Sequence, residues 1–349
     1  MRLCFFSSNL WPYTHGGVER RYYEFARSLM ELGHEVYYVT YDWGPSEISI
    51  LSVGKPPKSL YDRKGRRRLA TEILYGVKSA WIARRANCDV YDASMPYTEA
   101  PFLPRNKTVL TLHEFWGSGW REYFGRLIGG IVEKLEREII KSVAAVIVPT
   151  ELVKRRLEGV RSDVYVVPFG LRVEEYLHFR SRDKKFDVAF IGRMVPYKGW
   201  DLLIEVLKKI DKPLRVLAVG DGPLYGKIRA EFSKINHHVT LMTRVDEEEK
   251  KKLLGASRIY LNLSRREGFS ITTLEAIALG AFPVVYNNTG ENAAAEVVNT
   301  LGYGAVVSRV EDVVKYLSCN CVNSQPPSSL DIFDIRNVVR KYEKIITSL

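Results

Sequence analysis

Apolar residues along this chain fall into short runs that are separated by longer amphipathic segments. Short apolar runs such as FDVAFI are typical of strands that are buried on both faces of a parallel sheet. The segments between them repeat apolar residues every three or four positions, which predicts helices. Because strand and helix alternate, the pattern predicts an α/β fold with doubly wound parallel sheets.

The predicted elements form two halves. In the first half, strands are predicted at 2–7, 35–40, 89–91, 108–113, 144–149 and 165–168, with helices at 18–32, 67–87 and 120–141. In the second half, strands are predicted at 186–191, 214–219, 239–242, 259–263 and 282–286, with helices at 201–209, 247–254, 271–279 and 331–346. Residues 171–185 are charged and lack strand alternation, so we expect a linker there. A length of 349 residues fits two domains, at 1–170 and 186–325.

The cysteines and the apolar runs indicate the compartment. Cys4, Cys88, Cys319 and Cys321 show no metal-binding spacing, so reduced thiols in a cytoplasmic protein are expected. No apolar run reaches the length of a membrane-spanning helix, and the first residues lack the apolar core of a signal peptide.

The net charge of +11 is concentrated in one segment. Residues 55–85 contain ten Lys and Arg residues and two acidic residues, which gives a net charge of +8. Such a segment suits an anionic partner, such as a membrane surface, a charged lipid or a nucleic acid, although a solvated loop has the same composition. Tyr61 and Tyr75 are isolated, so the interleaved aromatic residues of a nucleic-acid platform are missing.

The stretch from Arg265 to Tyr286 predicts a loop, a helix and a strand around an anion site. Ser270 is the expected N-cap of the helix, and its first N–H groups favour a phosphate. Glu267 and Glu275 precede and follow these N–H groups along the sequence, and each carboxylate can accept hydrogen bonds from sugar hydroxyls. The pattern therefore predicts a nucleotide-sugar site.

Three further motifs supply candidate ligand-binding residues. Arg193 and Lys198 flank a turn after a predicted strand, where two cations suit a diphosphate. Gly16 and Gly17 precede the first helix, and glycine there lets a ligand lie against the backbone. His113 ends a predicted strand, and the carboxyl ends of parallel strands line the ligand site of open α/β sheets.

Together these motifs resemble the retaining GT-B glycosyltransferases of family 4, the glycogen-synthase-like class. The resemblance rests on Glu-Gly-Phe-Ser at 267–270, Leu-Glu-Ala-Ile-Ala-Leu-Gly at 274–280 and Gly-Arg-x-x-x-x-Lys-Gly at 192–199, and it extends over essentially the whole chain. Two positions depart from the class. Pro168-Phe169-Gly170 replaces Pro-Asn-Gly, and Thr289-Gly290-Glu291 stands where Gly-Gly is common.

The resemblance implies the GT-B architecture, in which two Rossmann-like domains face each other across a cleft and the last helix, 331–349, packs back on the first domain. It implies catalytic roles for His113, Arg193, Lys198 and Glu267, with Glu267 on the transferring sugar and Glu275 on the ribose. The donor-binding positions that it implies are Gly16, Gly17, Arg193, Lys198, Arg244, Val245, Glu267, Gly268, Phe269, Ser270, Ile271 and Glu275.

The implied activity is transfer of a sugar from a nucleotide-sugar donor to a glycan or lipid-linked acceptor, with retention of anomeric configuration. No metal or cofactor is expected, because the chain has no Asp-x-Asp motif and the cations Arg193 and Lys198 can neutralise the diphosphate. Residues 55–85 would hold a cytoplasmic enzyme on the inner membrane face, and nucleic acid is not an expected partner. Two alternatives remain open: a sugar-nucleotide 2-epimerase of the same fold, and a non-catalytic protein that binds sugars or anions.

Overall fold

The computed structural model describes residues 1–14, 16–60, 62, 66–95, 97–319, 322 and 325–349. Tyr61 and Cys321, and also Arg63 and Lys64 of the basic segment, lie outside the described residues. The chain forms two compact units, one of residues 1–170 with 335–349 and the other of residues 171–334.

The first unit is built on a seven-stranded parallel sheet. Its strands are β1 Arg2–Phe6, β2 Glu35–Thr40, β3 Ser49–Ser52, β4 Val90–Ser94, β5 Thr108–Thr111, β6 Ala145–Val148 and β7 Val164–Val166. Its helices are α1 Gly17–Glu31, α2 Leu69–Ala86, α3 Gly119–Phe124, α4 Arg126–Ser142 and α5 Glu151–Arg156. The strand order is β3-β2-β1-β4-β5-β6-β7, so the winding direction reverses between β1 and β4.

Alternation along β1 divides the core of this unit between the two faces of the sheet. Leu3 and Phe5 point to the face that α1 covers, and Cys4 and Phe6 point to the face that α2 covers. Cys4 forms a disulfide with Cys88, with their Cα atoms 6.0 Å apart. The expectation of reduced thiols is therefore wrong for this pair, because the fold places two buried sulfurs in contact that the sequence separates by 84 positions.

The second unit is built on a six-stranded parallel sheet. Its strands are β8 Phe186–Ile191, β9 Arg215–Val219, β10 His238–Met242, β11 Ser257–Asn262, β12 Phe282–Tyr286 and β13 Ala305–Val307. Its helices are α6 Glu174–Leu177, α7 Trp200–Lys208, α8 Tyr225–Phe232, α9 Glu247–Gly255, α10 Ile271–Ala278, α11 Ala294–Leu301 and α12 Val310–Ser318. The order β10-β9-β8-β11-β12-β13 places the reversal between β8 and β11.

The last helix, α13 Ile335–Ile346, belongs to the first unit. The hydroxyl of Tyr342 donates to Asp92 Oδ2 at 2.6 Å, and the hydroxyl of Tyr22 donates to Asp92 Oδ1 at 2.8 Å. A buried carboxylate on β4 thus joins α1 and α13, which places α13 on the same face of the sheet as α1.

Two predicted elements differ from the structure. The helix predicted at 120–141 is two helices, because Gly125 between them has a φ of 87°, a left-handed conformation that ends α3. The charged segment at 171–185, predicted as a linker, belongs to the second unit and contains α6, in which Tyr176 is buried. In the described part of the chain, no helix is both long and apolar enough to cross a bilayer.

Candidate active site

The motif residues of the second unit follow the two strands at its winding reversal. The loop that contains Arg193 and Lys198 follows β8, and the loop that contains Glu267 and Ser270 follows β11. β8 and β11 pair directly, so both loops leave the same edge of the sheet side by side. In open α/β sheets this is where the crevice for a ligand forms.

The shape of the first loop depends on one glycine. Gly199 has a φ of 80°, and a Cβ there would lie 2.1 Å from the carbonyl oxygen of Leu263. The indole nitrogen of the buried Trp200 donates to the carbonyl oxygen of Arg193 at 2.8 Å. Only glycine fits at this close approach, which explains the Lys-Gly pair and fixes Lys198 against the second loop.

Backbone and side-chain bonds join the two loops. The backbone N–H of Arg265 donates to the carbonyl oxygen of Tyr197 at 2.8 Å. The Arg265 guanidinium also donates to the carbonyl oxygen of Pro196 at 2.8 Å and to Asp201 at 3.0 Å. Because Arg265 holds both loops at once, the cation of the first loop and the carboxylate of the second have a defined separation.

Lys198 Nζ lies 2.6 Å from Glu267 Oε2, and both side chains are mostly buried. Burial by itself lowers the pKa of Lys198, but the charge and the hydrogen bond of Glu267 outweigh it and raise the pKa above its usual value. Lys198 is therefore a cation, and the positive charge of Arg193 opposes the rise of its pKa only slightly.

The backbone of Glu267 is fixed by the segment at 291–293. The N–H of Glu267 donates to the carbonyl oxygen of Glu291, and the N–H of Ala293 donates to the carbonyl oxygen of Glu267, both at 3.1 Å. Thr289-Gly290-Glu291 therefore leads into the segment that positions Glu267, the candidate sugar-binding residue. This tripeptide is one of the two places where the sequence departs from the family 4 pattern.

Ser270 is the N-cap of α10, and its side chain accepts from the N–H of Thr273 at 3.3 Å. Its φ of 78° is left-handed, a conformation that costs a non-glycine residue about 1–3 kcal/mol. The Asn262 amide holds it there by donating to Ser270 Oγ at 2.9 Å, and Asn292 donates to Asn262 Oδ1 at 3.0 Å. The sequence analysis missed both asparagines, although an asparagine that ends a buried strand is a usable signal.

Glu275 is buried, at 1% exposure, and lies in the middle of α10. Its Oε1 accepts from the Tyr176 hydroxyl and from Lys250 Nζ, each at 3.1 Å. Tyr176 and Lys250 come from α6 and α9, and the sequence pattern gave no sign that they meet Glu275.

The remaining predicted residues of this unit are more dispersed. Gly268 and Phe269 are buried, and Phe269 packs edge-on against Phe333 with ring centroids 5.9 Å apart. Ile271 is the first residue of α10. Arg244 and Val245 lie in the turn between β10 and α9, where Arg244 is exposed. The structure describes no contact of these two residues with Lys198 or Glu267.

The first unit contains a separate group of predicted residues. Gly17 begins α1, with Gly16 as its extended N-cap, and His113 follows β5. The ring of His113 is buried, edge-on to Tyr22 at 6.0 Å and tilted to Phe169 at 5.4 Å between centroids. Phe169, the residue that departs from the class, is thus a packing partner of His113.

His113 is neutral in this environment. Burial lowers its pKa well below the usual value of 6.5, and the nearby positive charge of Arg21 lowers it further. Neither ring nitrogen has a hydrogen-bond partner among the described residues. Arg21 itself is buried, with its guanidinium 4.0 Å from the ring centroid of Phe25. Sequence analysis missed Arg21, since an arginine within a helix normally lies on the solvated side.

Among the described residues, no group of three or more His, Cys, Asp and Glu side chains has the arrangement of a metal site. The independence of the reaction from metal stays a prediction.

The two units, each with a doubly wound parallel sheet, have the GT-B architecture of glycosyltransferases. Residues 15–175 match the family described as Glycosyltransferase Family 4, and residues 174–318 match the family described as Glycosyl transferases group 1. Together the two matches extend from residue 15 to residue 318. The chain therefore belongs to the family 4 glycosyltransferases, which confirms the resemblance seen in its motifs.

The relatives differ in how much of the chain they match. An uncharacterized glycosyltransferase of Methanocaldococcus jannaschii is 30% identical over 42% of this chain, and the match spans 40% of that protein. A phosphatidylinositol N-acetylglucosaminyltransferase subunit from Arabidopsis thaliana is 23% identical over 81% of this chain and 67% of that protein. The Anabaena protein HepE, solved with UDP and glucose, superposes with a TM-score of 0.75 at 15% identity over the whole of both chains. That likeness confirms the predicted GT-B fold.

Proposed function

We propose that this protein transfers a sugar from a nucleotide-sugar donor to an acceptor with retention of anomeric configuration and without a metal ion. The observation that carries the proposal is the contact between Lys198 and Glu267 at the edge of the sheet where α10 begins. A phosphate-binding cation and a hydroxyl-binding carboxylate side by side suit the junction between the diphosphate and the sugar of a donor. Membership of a glycosyltransferase family and the UDP and glucose bound by HepE support it.

The proposed chemistry is displacement on one face of the sugar through an oxocarbenium-like state. The bond from the anomeric carbon to the diphosphate breaks, and the acceptor oxygen forms its bond to the anomeric carbon on the same face. The departing diphosphate accepts the proton of the attacking acceptor hydroxyl. Arg193, Lys198 and the first N–H groups of α10 stabilise the charge that develops on this leaving group. Glu267 binds hydroxyls of the transferring sugar, and Glu275 binds the ribose. In the first unit, the neutral imidazole of His113 can exchange hydrogen bonds with a polar ligand without adding charge.

The acceptor in this proposal is a lipid-linked or membrane-associated glycan. Support comes from the Arabidopsis relative, whose name specifies phosphatidylinositol, and from the basic segment at 55–85. Both acids of that segment are already engaged, because Asp62 bonds Arg66 at 3.0 Å and Glu72 bonds Arg67 at 2.6 Å. Among the described residues of the segment, the exposed cations that remain are Lys55, Lys58, Arg68, Lys78, Arg84 and Arg85. They can meet anionic lipid on the inner membrane face.

The test of the activity is a screen of UDP-, GDP- and ADP-sugars for donor hydrolysis, followed by transfer assays with the donor that is consumed. We expect one donor to be consumed and Glu267→Ala to lower turnover more than donor binding. Binding of a donor without any turnover, with or without acceptor, would contradict the proposal and favour a sugar-binding protein. Release of the 2-epimer of the donor sugar would favour an epimerase.

The test of the basic segment is co-sedimentation with anionic vesicles at low and high salt. Binding that weakens as salt rises is expected, because salt screens contacts between exposed charges. Failure to bind anionic vesicles, or binding that is indifferent to salt, would contradict this part of the proposal and favour a soluble acceptor.

A further inference from the structure

Over its first three turns, helix α4 packs on its unit with polar rather than apolar side chains inward. A helix that covers a sheet normally turns its apolar side to the core. The buried positions of α4 are Gly129, Glu133, Glu136 and Ile140. Its exposed positions include Leu127, Ile128, Ile131 and Leu135, with Leu127 at 85% exposure. These four residues are spaced i, i+1, i+4 and i+8, so they form one continuous apolar row on the outside of the helix.

The polar side chains on the inward side of α4 have hydrogen-bond partners in neighbouring segments. Glu133 accepts from Arg121 at 2.7 Å, and Glu136 accepts from the N–H of Gly117 at 2.8 Å and from the hydroxyl of Tyr97. A Cβ at Gly129 would lie 2.2 Å from the carbonyl oxygen of Trp120, so the helix is held close to its neighbour on that side. Rotating α4 to bury its apolar row would break these contacts, and the row therefore stays outside.

Helix α2 presents a second apolar row with the same spacing. Ile73, Leu74, Val77 and Trp81 are all exposed, Trp81 at 57%. The only acid in this helix, Glu72, is buried and paired with Arg67. Arg85 lies 3.4 Å above the ring centroid of Trp81. The outer side of α2 therefore combines apolar side chains with cations and carries no carboxylate.

The two helices cover the same face of the sheet and are joined by one short segment. Tyr91 packs in the core under α2 and Ala93 packs in the core under α4, and residues two apart on a strand share a face. The Thr98 hydroxyl donates to the carbonyl oxygen of Glu72 in α2 at 2.8 Å, while the preceding residue, Tyr97, bonds Glu136 in α4. We call the two rows and their flanking cations the α2–α4 surface.

The charges on this surface match an anionic bilayer. Lys78, Arg84 and Arg85 of α2 and Arg126, Lys134 and Lys141 of α4 are all exposed. The one exposed acid of the two helices, Glu138, is bonded to Lys141 at 3.1 Å. Lys55 and Lys78 also line a cavity of about 370 Å³ beside Leu74, which is large enough for a phosphate headgroup. Apolar rows flanked by cations are the pattern of segments that lie in the membrane interface.

We propose that the α2–α4 surface is a membrane-docking face, whose two apolar rows insert into the acyl boundary of an anionic bilayer while the cations contact lipid phosphates. This inference rests on the membrane part of the proposed function and extends it in two ways. It adds α4, which lies outside the basic segment, to the membrane-binding surface. It also proposes that apolar side chains insert into the bilayer, in addition to the electrostatic attraction of the cations to its surface. A protein partner or a second copy of the chain would bury the same rows but would not require the lipid phosphates that the cations suit.

The test uses the full chain and vesicles of phosphatidylcholine with and without phosphatidylglycerol. Leu127→Glu and Ile131→Glu alter exposed side chains only, so we expect unchanged thermal stability and a fall of at least about tenfold in partition onto the anionic vesicles. The matched control is Ile332→Glu, which alters a residue that is 57% exposed in the second unit and should leave partition unchanged. Wild-type binding should keep a fraction that resists high salt, and this fraction should disappear in the two α4 variants.

A second measurement requires only one conservative variant. Adding anionic vesicles should shift the tryptophan emission of the wild type to the blue, and Trp81→Phe should remove most of that shift. Vesicle binding that is unchanged by the α4 variants, or a Trp81 emission that does not respond, would overturn the proposal. A dimer that forms without vesicles and is lost in Leu127→Glu would also overturn it. Donor hydrolysis is measured separately. Its absence from a wild type that binds vesicles would refute the transferase and leave the docking face standing.

Discussion

Lys198 Nζ is bonded to Glu267 Oε2 at 2.6 Å, so the cation proposed for the donor diphosphate is held by the carboxylate proposed for the sugar. The pair lets each charge satisfy the other while both are mostly buried. A bound donor must divide the pair, with its phosphate taking Lys198 and its sugar hydroxyls taking Glu267. The contact therefore positions both side chains before the donor binds, and the donor must compete with it for each charge.

This competition gives the first prediction. Glu267→Gln removes the negative charge beside Lys198, so a nucleoside diphosphate should bind about tenfold more tightly to the variant, while turnover falls because the sugar loses its acceptor. Calorimetry with the diphosphate of the active donor measures the first effect, and initial rates measure the second. Weaker binding of the diphosphate to Glu267→Gln would show that Lys198 does not contact the phosphates.

Metal independence gives the second prediction. Activity should survive excess EDTA, because Arg193, Lys198 and the N–H groups of α10 supply the positive charge that the leaving group needs. Lys198→Ala and Arg193→Ala should each lower kcat/KM by at least about tenfold, whereas the exposed Lys212→Ala should not. Loss of activity in EDTA that Mg²⁺ or Mn²⁺ restores, together with a normal rate for Arg193→Ala, would assign the diphosphate to other groups.

Glu275 gives the third prediction, which depends on its burial. A carboxylate that binds a ligand in a cleft is expected at the surface, where its removal leaves the fold intact, but the structure shows Glu275 buried against Tyr176 and Lys250. Glu275→Ala should therefore lower the free energy of unfolding by about 1–3 kcal/mol, as well as weakening donor binding by about ten- to a hundredfold. Glu275→Gln keeps an acceptor for Tyr176 and should separate the two effects. An unchanged donor Kd in both variants would remove Glu275 from the site.

Asn262 gives the fourth prediction. Its amide holds Ser270 in the left-handed conformation that caps α10, so Asn262→Ala should release the cap and leave the amide of Asn292 with one acceptor fewer. We expect a loss of about 1–3 kcal/mol in stability and weaker binding of the nucleoside diphosphate. Thermal unfolding with and without the diphosphate measures both, and an unaltered ligand-induced shift in Tm would show that the cap does not shape the anion site.

Glu99 gives the fifth prediction, which concerns pH. Burial raises its pKa from 4.5 to about 8, with the charges of Glu72 and Asp92 adding to the shift, and neither carboxyl oxygen has a partner among the described residues. Between these values the folded protein binds more protons than the unfolded chain, so stability falls as pH rises from about 4.5 to about 8. Glu99→Gln should remove this slope and stabilise the protein at pH above about 8 by a few kcal/mol.

The comparison for this prediction is the exposed Glu158→Gln, which should keep the wild-type dependence on pH. Unfolding midpoints in denaturant, measured from pH 5 to pH 9, provide the readout. Parallel curves for the wild type and Glu99→Gln would show that Glu99 ionises normally.

The sequence by itself determined the class of fold and most of its regular elements. The strands at 35–40, 186–191 and 282–286 have the predicted bounds, because a strand buried on both faces leaves a continuous apolar run. The N-cap of α10 was also predictable, since a serine at an N-cap acts within one turn of the chain. Caps and periodic burial depend on residues that are close together in the sequence, and for that reason they can be predicted from it.

Only the tertiary structure decided which groups meet. The contact of Lys198 with Glu267 joins positions 69 apart, that of Tyr176 with Glu275 joins positions 99 apart, and the Cys4–Cys88 disulfide joins positions 84 apart. The direction in which α4 faces was likewise hidden, because its apolar row is equally consistent with burial and with exposure. The spacing of apolar residues shows that a helix has an apolar and a polar side. The polar contacts of Glu133 and Glu136 with other elements determine which side of α4 faces the core.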